Sequence, residues 1–302
     1  MVDKKHTLVI ILGPTGIGKT DLSIEIAQEL NTDIISCDSR QMYRELKIGT
    51  AVPEPMQLAQ VRHHFIGNLS IHNYYNASVF ETETISLLDK IFKQKEYVIM
   101  TGGSGMYIDA VTKGIDELPT IDEETRTYFL EMYKQHGISK LKEELKKVDP
   151  EFYTQVDINN AKRIRKALEV FKITGKKYSS LRTNTNKNRP FNIIKIGLTM
   201  DREKLYQRIN LRVDLMIKAG LVDEARKFHN YKDLNALNTV GYKELFGYFE
   251  NKYNLEEAIR LIKRNSRRYA KRQITWWNRD NDIKWFNPSQ KKEIITEIKK
   301  YK

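Results

Sequence analysis

A single cysteine, Cys37, in 302 residues excludes an internal disulfide and any cysteine-based zinc site. That suits a reducing compartment. Histidine is scarce as well, with six in the chain. The adjacent pair His63-His64 lacks the i, i+4 spacing of a helical metal pair, so no metal is assigned there. No apolar run approaches the length of a membrane span, and no membrane partner is expected. Lys4 and Lys5 precede a short apolar stretch that mimics a leader. It is too short for one and runs straight into a glycine turn, so a cytoplasmic protein is expected. Internal repeats and long low-complexity segments are missing too.

Acids are in deficit. Against 39 Asp and Glu stand 52 Lys and Arg, a net charge of +13. Such an excess suits a nucleic-acid partner, although a generally basic surface would give the same total. The distribution is uneven. Residues 260–279 carry Arg260, Lys263, Arg264, Arg267, Arg268, Lys271, Arg272 and Arg279 with no acid before Asp280. Residues 159–189 carry ten cations, from Lys162 to Arg189, against Glu169 alone. Residues 116–124 are acidic instead, with Asp116, Glu117, Asp122, Glu123 and Glu124. A solvated helix face usually mixes its signs, so two separate basic blocks point to RNA or DNA.

The run Gly13-Pro14-Thr15-Gly16-Ile17-Gly18-Lys19-Thr20 fits G-x-x-x-x-G-K-[ST], the phosphate-cradling loop. Thr7–Leu12 before it reads as a buried strand, and Leu22, Ile26, Ala27 and Leu30 after it mark one face of a helix. In that context backbone N–H groups and the helix N-terminus receive an anion. Lys19 adds a positive charge, and Thr20 places a hydroxyl on a phosphate-bound Mg²⁺. An ordinary glycine turn before a helix is the bland alternative.

Further strands are expected at Asp33–Ser36, Tyr97–Thr101 and Asn192–Met200, with helices between them, which implies a parallel sheet with crossover helices. From Pro119 to Leu181 only helical patterns occur, such as Ile164, Ala167, Leu168 and Phe171. The polar run Thr183–Pro190 then reads as a linker. The expected fold is therefore α/β, a P-loop-type core of residues 1–117 and 191–302 interrupted by a helical domain over 118–190. After Met200 the chain reads as helical again. Leu205, Ile209, Val213, Met216 and Ile217 form a stripe ended by Gly220.

Asp38-Ser39-Arg40-Gln41 follows the apolar Ile34-Ile35, at the strand end that faces the ligand crevice in open α/β sheets. Asp38 there binds Mg²⁺ through water, serves as a base, or merely caps the next element. The residues alone leave these readings open. The glycine cluster Thr101–Gly105 puts flexible backbone at another strand end, as would a tight strand-to-helix turn. Arg208 and Arg212 lie one helical turn apart, a spacing that clamps a diphosphate or leaves both solvated. Lys271-Arg272-Gln273-Ile274-Thr275-Trp276-Trp277 mixes cations with indoles, which stack on unpaired bases or pack in a core.

Taken in order, GPTGIGKT, DSRQMYRELKIGTAVP, the RHHF segment at Arg62–Phe65, TGGSGMYIDAV, RIRKALEVFKITGK, NTVGYKEL and RRYAKRQITWW resemble the bacterial tRNA dimethylallyltransferases, or tRNA isopentenyltransferases. The similarity runs from the phosphate loop to about Phe286. Departures are mild: Gly16-Ile17 replaces Ala-Ser or Ala-Val, Ser104 replaces Thr, and Asn278 replaces Arg.

The resemblance implies transfer of a dimethylallyl group from dimethylallyl diphosphate to the exocyclic N6 of adenosine 37 beside a tRNA anticodon. The loop Gly13–Thr20 would then hold the donor diphosphate, with no ATP turnover. By similarity Asp38 is the general base, and Thr15 and Thr20 contact diphosphate. Thr20 also ligates Mg²⁺, and Arg212, with Arg208, neutralises the leaving group. Asp38, Ser39, Arg40, Gln41, Ser104, Arg126 and the run Lys162-Arg163-Ile164-Arg165-Lys166 would contact tRNA. So would Asn238-Thr239-Val240-Gly241-Tyr242-Lys243 and Lys271–Trp277 with Asn278. A monomer is expected. The rivals are a prenyltransferase on free adenine nucleotides, a P-loop small-molecule kinase and an RNA-binding NTPase. None of these uses the loop, Asp38 and both basic blocks together.

Overall fold

The computed structural model describes residues 5–116, 118–183 and 186–300. Lys4, Glu117, Asn184 and Thr185, which enter the sequence reading, lie outside them. In chain order the elements are β1 (Thr7–Leu12), α1 (Lys19–Glu29), β2 (Ile34–Ser36), α2 (Pro55–Leu58), β3 (His63–His64), α3 (Ala77–Ile91), β4 (Tyr97–Gly102) and α4 (Gly105–Lys113). Then come α5 (Glu123–Val148), α6 (Pro150–Gln155), α7 (Ala161–Thr174) and α8 (Tyr178–Leu181). They are followed by β5 (Asn192–Leu198), α9 (Arg202–Lys218), α10 (Leu221–Lys227), α11 (Tyr242–Phe249), α12 (Leu255–Trp277), β6 (Ile283–Phe286) and α13 (Lys291–Lys299). The side chains of Asn76, Asp122, Asn160, Asp201 and Asn254 cap α3, α5, α7, α9 and α12. Each satisfies backbone N–H groups that the helix cannot, worth about 1 kcal/mol.

Six strands pair in the order β3-β2-β4-β1-β5-β6, all parallel. β1 at the centre is buried along its whole length, as a strand covered on both faces must be. β3 and β6 contradict the reading that put no strand at either place. They are two and four residues long and occupy the sheet's edges. An edge strand has one partner and tolerates charge, so Lys284 sits exposed within β6 and no alternation marks the segment.

The chain separates into two compact units, one formed by residues 1–112 and 188–302 and the other by 113–187. Around the sheet the first unit packs α1, α9 and α13 through Ile26, Leu205, Ile209, Ile294 and Ile298. A second cluster joins Tyr43, Leu46, Val213, Leu237, Tyr242, Phe246 and Ile262. The other unit is all helical and has its own core of Phe129, Leu141, Leu145, Phe152, Ile164, Ala167 and Leu168. Within α5, Gly137 at φ 69° breaks the helix in two.

Arg189 belongs to the α/β unit, not to the helical one. Its guanidinium donates to the carbonyls of Val111 and Ala110 and to Glu81 at 2.7 Å, all buried. That cation is structural and unavailable to a phosphate backbone. Replacing Arg189 by Met takes the guanidinium out of a buried ion pair, which should cost about 3 kcal/mol or more in urea unfolding. A loss under about 1 kcal/mol would show that the pair contributes little.

Candidate active site

Because the strands are parallel, the turns after β1, β2 and β4 gather at one end of the sheet. The phosphate loop leaves β1 there and enters α1 through Gly18, the N-cap, at φ 101°. Asp38 leaves β2, and the second glycine cluster leaves β4. These turns touch: Cys37 N–H donates to Thr101 O at 2.7 Å, and Ser104 N–H to Cys37 O at 3.3 Å. A Cβ on Gly102 would lie 2.0 Å from the Cys37 carbonyl oxygen, so only glycine fits. The cluster is thus at once a tight turn and a wall of the site.

A cleft of about 520 Å³ opens over the loop, lined by Gly16, Gly18, Lys19, Thr20, Asp38, Gly102, Gly103, Arg208 and Arg212, among others. Thr15, Asp38, Arg212 and Tyr269 are shared with a smaller recess of about 110 Å³. Its remaining walls include Ile209, Val213, Met216, Leu221, Val240 and Ile262. A polar, glycine-rich cleft therefore adjoins a recess of mixed lining, where Arg40, Thr50, Thr239 and Ser266 stand among the apolar walls, and Asp38 borders both.

Lys19 Nζ donates to the carbonyls of Gly13 at 2.7 Å and Pro14 at 3.0 Å, which curls the side chain back over the loop. Burial and the neighbouring Arg212 pull its ammonium down to about 7, against an opposing pull from Asp38. Arg212 is lowered by burial and supported by Asp38. Its Nη1 donates to Thr15 Oγ1 at 3.2 Å, while Arg208 Nε donates to the Gly16 carbonyl at 2.9 Å. Two cations crowd each other with one carboxylate nearby. Such a site lowers its free energy by taking up a polyanion.

Two backbone N–H groups of the loop already have partners within the protein. Ile17 is buried beneath the loop, and its N–H donates to Pro14 O at 3.3 Å. The Thr15 N–H donates to Gln273 Oε1 at 2.9 Å. The Thr15 N–H is thus turned toward α12 and the Ile17 N–H closes a turn within the loop, while Thr15 still lines the cleft. Asp38 Oδ1 accepts from Arg40 N–H at 2.9 Å and from Gln41 N–H at 3.4 Å. The capping geometry is present, but on a turn with no helix behind it, and the same side chain lines the cleft.

The expected tRNA contacts divide by exposure. Lys162, Arg163, Asn238, Lys243, Lys271, Arg272, Thr275, Trp276 and Asn278 are exposed, while Ser39, Arg40, Gln41, Ser104, Arg126, Arg165, Lys166, Thr239, Val240 and Ile274 are half-buried. Ile164, Tyr242, Gln273 and Trp277 are buried and correct the expectation. Ile164 packs in the helical core. The Tyr242 hydroxyl donates to Glu224 at 2.6 Å, Gln273 binds the phosphate loop, and Trp277 is the core partner of an exposed Trp276. Gly241 is buried too, with its N–H donated to Glu244, and it lines the recess.

The basic blocks are likewise partly engaged within the protein. Lys172 lies 3.7 Å over the Tyr128 ring, Lys263 pairs with Asp214 at 2.6 Å, and Arg267 donates to Asn210. Arg279 stacks on Trp276, whose indole N–H donates to Asp109 at 3.1 Å.

Glu224 was invisible in the sequence. One carboxylate accepts the N–H groups of Lys47, Ile48 and Gly49 at 3.0, 2.9 and 2.9 Å, fixing the segment that lines the recess beside Asp38. Among the described residues no group of three His, Cys, Asp or Glu is placed to hold a metal, and no helix is long and apolar enough to cross a membrane.

Comparison with known proteins agrees with this geometry. The profile of the family described as IPP transferase matches residues 41–280. The tRNA dimethylallyltransferase 1 of Bacteroides fragilis (strain YCH46) is 53% identical over 290 residues, 96% of each chain. That of Phocaeicola vulgatus is 53% identical over 292 residues, 97% of each. Among solved structures, the full-length tRNA isopentenylpyrophosphate transferase of Bacillus halodurans superposes with a TM-score of 0.72 at 35% identity, over 98% of this chain and 97% of that one. A eukaryotic dimethylallyltransferase acting on tRNA gives a TM-score of 0.77 at 26% identity, over 94% and 75%.

The state of Lys19 yields a direct test. A bound polyanion favours the ammonium, so anion binding above pH 7 should draw a proton onto Lys19. Calorimetry of inorganic diphosphate binding in buffers of different ionisation enthalpy, at about pH 8, should show greater proton uptake for the wild type than for Lys19→Arg, whose guanidinium is always charged. Equal uptake would mean that Lys19 is already protonated in the empty site.

Proposed function

We propose that this chain, which belongs to the IPP transferase family, moves a dimethylallyl group from dimethylallyl diphosphate to N6 of adenosine 37 in tRNA. The observation that carries this reading is Asp38 at the junction of a cationic phosphate cleft and a second recess walled in part by Ile209, Val213, Met216 and Ile262. The diphosphate lies over Gly16–Thr20, against Lys19, Arg208 and Arg212, and the five-carbon group enters the recess.

An adenine amine is a weak nucleophile because its lone pair is delocalised into the ring. As N6 attacks C1 of the donor, the C1–O bond breaks and its electron pair leaves with diphosphate. The amine proton passes to the Asp38 carboxylate, help of roughly 10²–10⁴-fold. Lys19, Arg212 and Arg208 meet charge that grows on the leaving group, so they favour the transition state over the ground state. Thr20 at the start of α1 would hold Mg²⁺ through its hydroxyl. Such an ion would offset diphosphate charge. The adenine must leave its stack to reach Asp38, as expected of enzymes that act on a base.

Labelled dimethylallyl diphosphate should mark tRNA and leave AMP unlabelled; label on AMP would favour the free-nucleotide enzyme. Asp38→Asn should lower kcat by about a hundredfold or more while tRNA still binds, as removal of a general base requires. Near-normal turnover in that variant would remove Asp38 from the role.

We assign the helical unit, 113–187, to tRNA. Lys162 and Arg163 are exposed and Arg165 and Lys166 half-buried on α7, beside the buried stripe of Ile164, Ala167 and Leu168. Neutralising the four cations should raise KM for tRNA and flatten the salt dependence of binding, by about one log–log unit for each phosphate no longer neutralised. Donor affinity should hold. Lys291, Lys299 and Lys300 already pair with Glu25, Glu29 and Glu297, so neutralising them with Lys292 is the control expected to matter less. Equal weakening in the two variants would reduce the effect to a diffuse field.

A further inference from the structure

Gln273 is a buried amide, 6% exposed, that engages the site with both of its ends. Oε1 accepts the Thr15 N–H at 2.9 Å, and Nε2 donates to the Gly103 carbonyl at 2.9 Å. These two partners fix the amide's orientation, since the flipped group would set donor against donor and acceptor against acceptor. The fit leaves no slack: a Cβ on Gly103 would lie 2.2 Å from Nε2. Thr15, held in this way, accepts Arg212 Nη1 on its hydroxyl. One side chain from α12 therefore ties the phosphate loop after β1 to the glycine turn after β4. Through Thr15 it also supports a cation that faces the cleft. Packing alone would be served as well by an apolar side chain of similar volume.

We propose that Gln273 is a positioning residue for the donor diphosphate. It sets the spacing of the two glycine turns and aims the Thr15 hydroxyl and Arg212 at the leaving group. The identity of the donor rests on the prenyl-transfer reading, but the positioning role does not, because inorganic diphosphate probes it directly.

The test compares Gln273→Met, Gly103→Ala and the double variant in the full chain. Each measurement reads inorganic diphosphate affinity, KM for dimethylallyl diphosphate and tRNA affinity. Gln273→Met should weaken diphosphate binding about tenfold or more and raise donor KM in step, with tRNA affinity kept within about twofold. Gly103→Ala displaces Nε2 and should give the same pattern. Since both changes break the same hydrogen bond, the double variant should be about as impaired as the worse single variant, not as the sum of the two.

Should Gln273→Met fold poorly, Gln273→Glu takes its place. It keeps an acceptor for Thr15 and removes the donor to Gly103, so diphosphate affinity should fall while tRNA affinity holds. Diphosphate affinity within about twofold of wild type, fully additive effects, or a parallel fall in tRNA affinity would each overturn the proposal. Normal diphosphate binding with no prenyl transfer in the wild type would refute the donor assignment alone.

Discussion

The site is organised around two cations held close together and partly out of water. Lys19 is bent over its own loop, Arg212 approaches it from α9, and Asp38 is the carboxylate that, among the described residues, acts on both. Like charges in a partly dry cleft are unfavourable until an anion arrives, and Lys19 relieves part of that cost by easing proton loss. The surrounding structure keeps the pair in place. β1 presents the loop, α9 is pinned by its Leu205, Ile209 and Val213 stripe, and Gln273 braces the loop from behind. A rigid cationic pocket of this kind stabilises charge without reorganising when the bond breaks.

The second constraint is closeness of backbone. The turns after β2 and β4 approach until no side chain fits at Gly102, and Glu224 gathers three N–H groups of the segment after Asp38. Asp38 is held by its own turn, through Arg40 and Gln41, and shares the recess with Gly49 of this segment. The same carboxylate borders the polar cleft and the partly apolar recess. Transfer of an apolar group between a diphosphate and a weak nucleophile needs that juxtaposition. It also needs water kept away, which the walls of Ile209, Val213, Met216 and Ile262 favour.

Much of this was legible in the sequence where chemistry imposes spacing. The phosphate loop, the strand before it, Asp38 after β2 and the α9 stripe all follow from local patterns. What stayed hidden is tertiary. Gln273 lies 258 residues from Thr15, and a glutamine among cations and indoles on a basic helix reads as an RNA contact. Only the fold turns it inward. Ile164 already shows in the apolar spacing with Ala167 and Leu168 and enters the expected tRNA contacts only because the resemblance covers the whole run Lys162–Lys166. Trp277, by contrast, sits in a basic tract whose buried face no local pattern marks. Tyr242 is held by Glu224, which no motif marks. β3 and β6 escaped because short edge strands need neither alternation nor strong apolarity. Arg189 looked like one more cation of a block until Glu81 and two carbonyls accounted for it.

The central claim is that the phosphate loop serves a prenyl diphosphate consumed by transfer to tRNA. A single-turnover reaction tests it most directly. Protein loaded with labelled dimethylallyl diphosphate is mixed with tRNA in the presence of ATP, and diphosphate, modified adenosine and ADP are followed together. The account predicts that diphosphate and N6-dimethylallyl adenosine appear in equal amounts and at one rate, with ATP intact. ADP formed in step with turnover, or diphosphate released without label reaching tRNA, would contradict it.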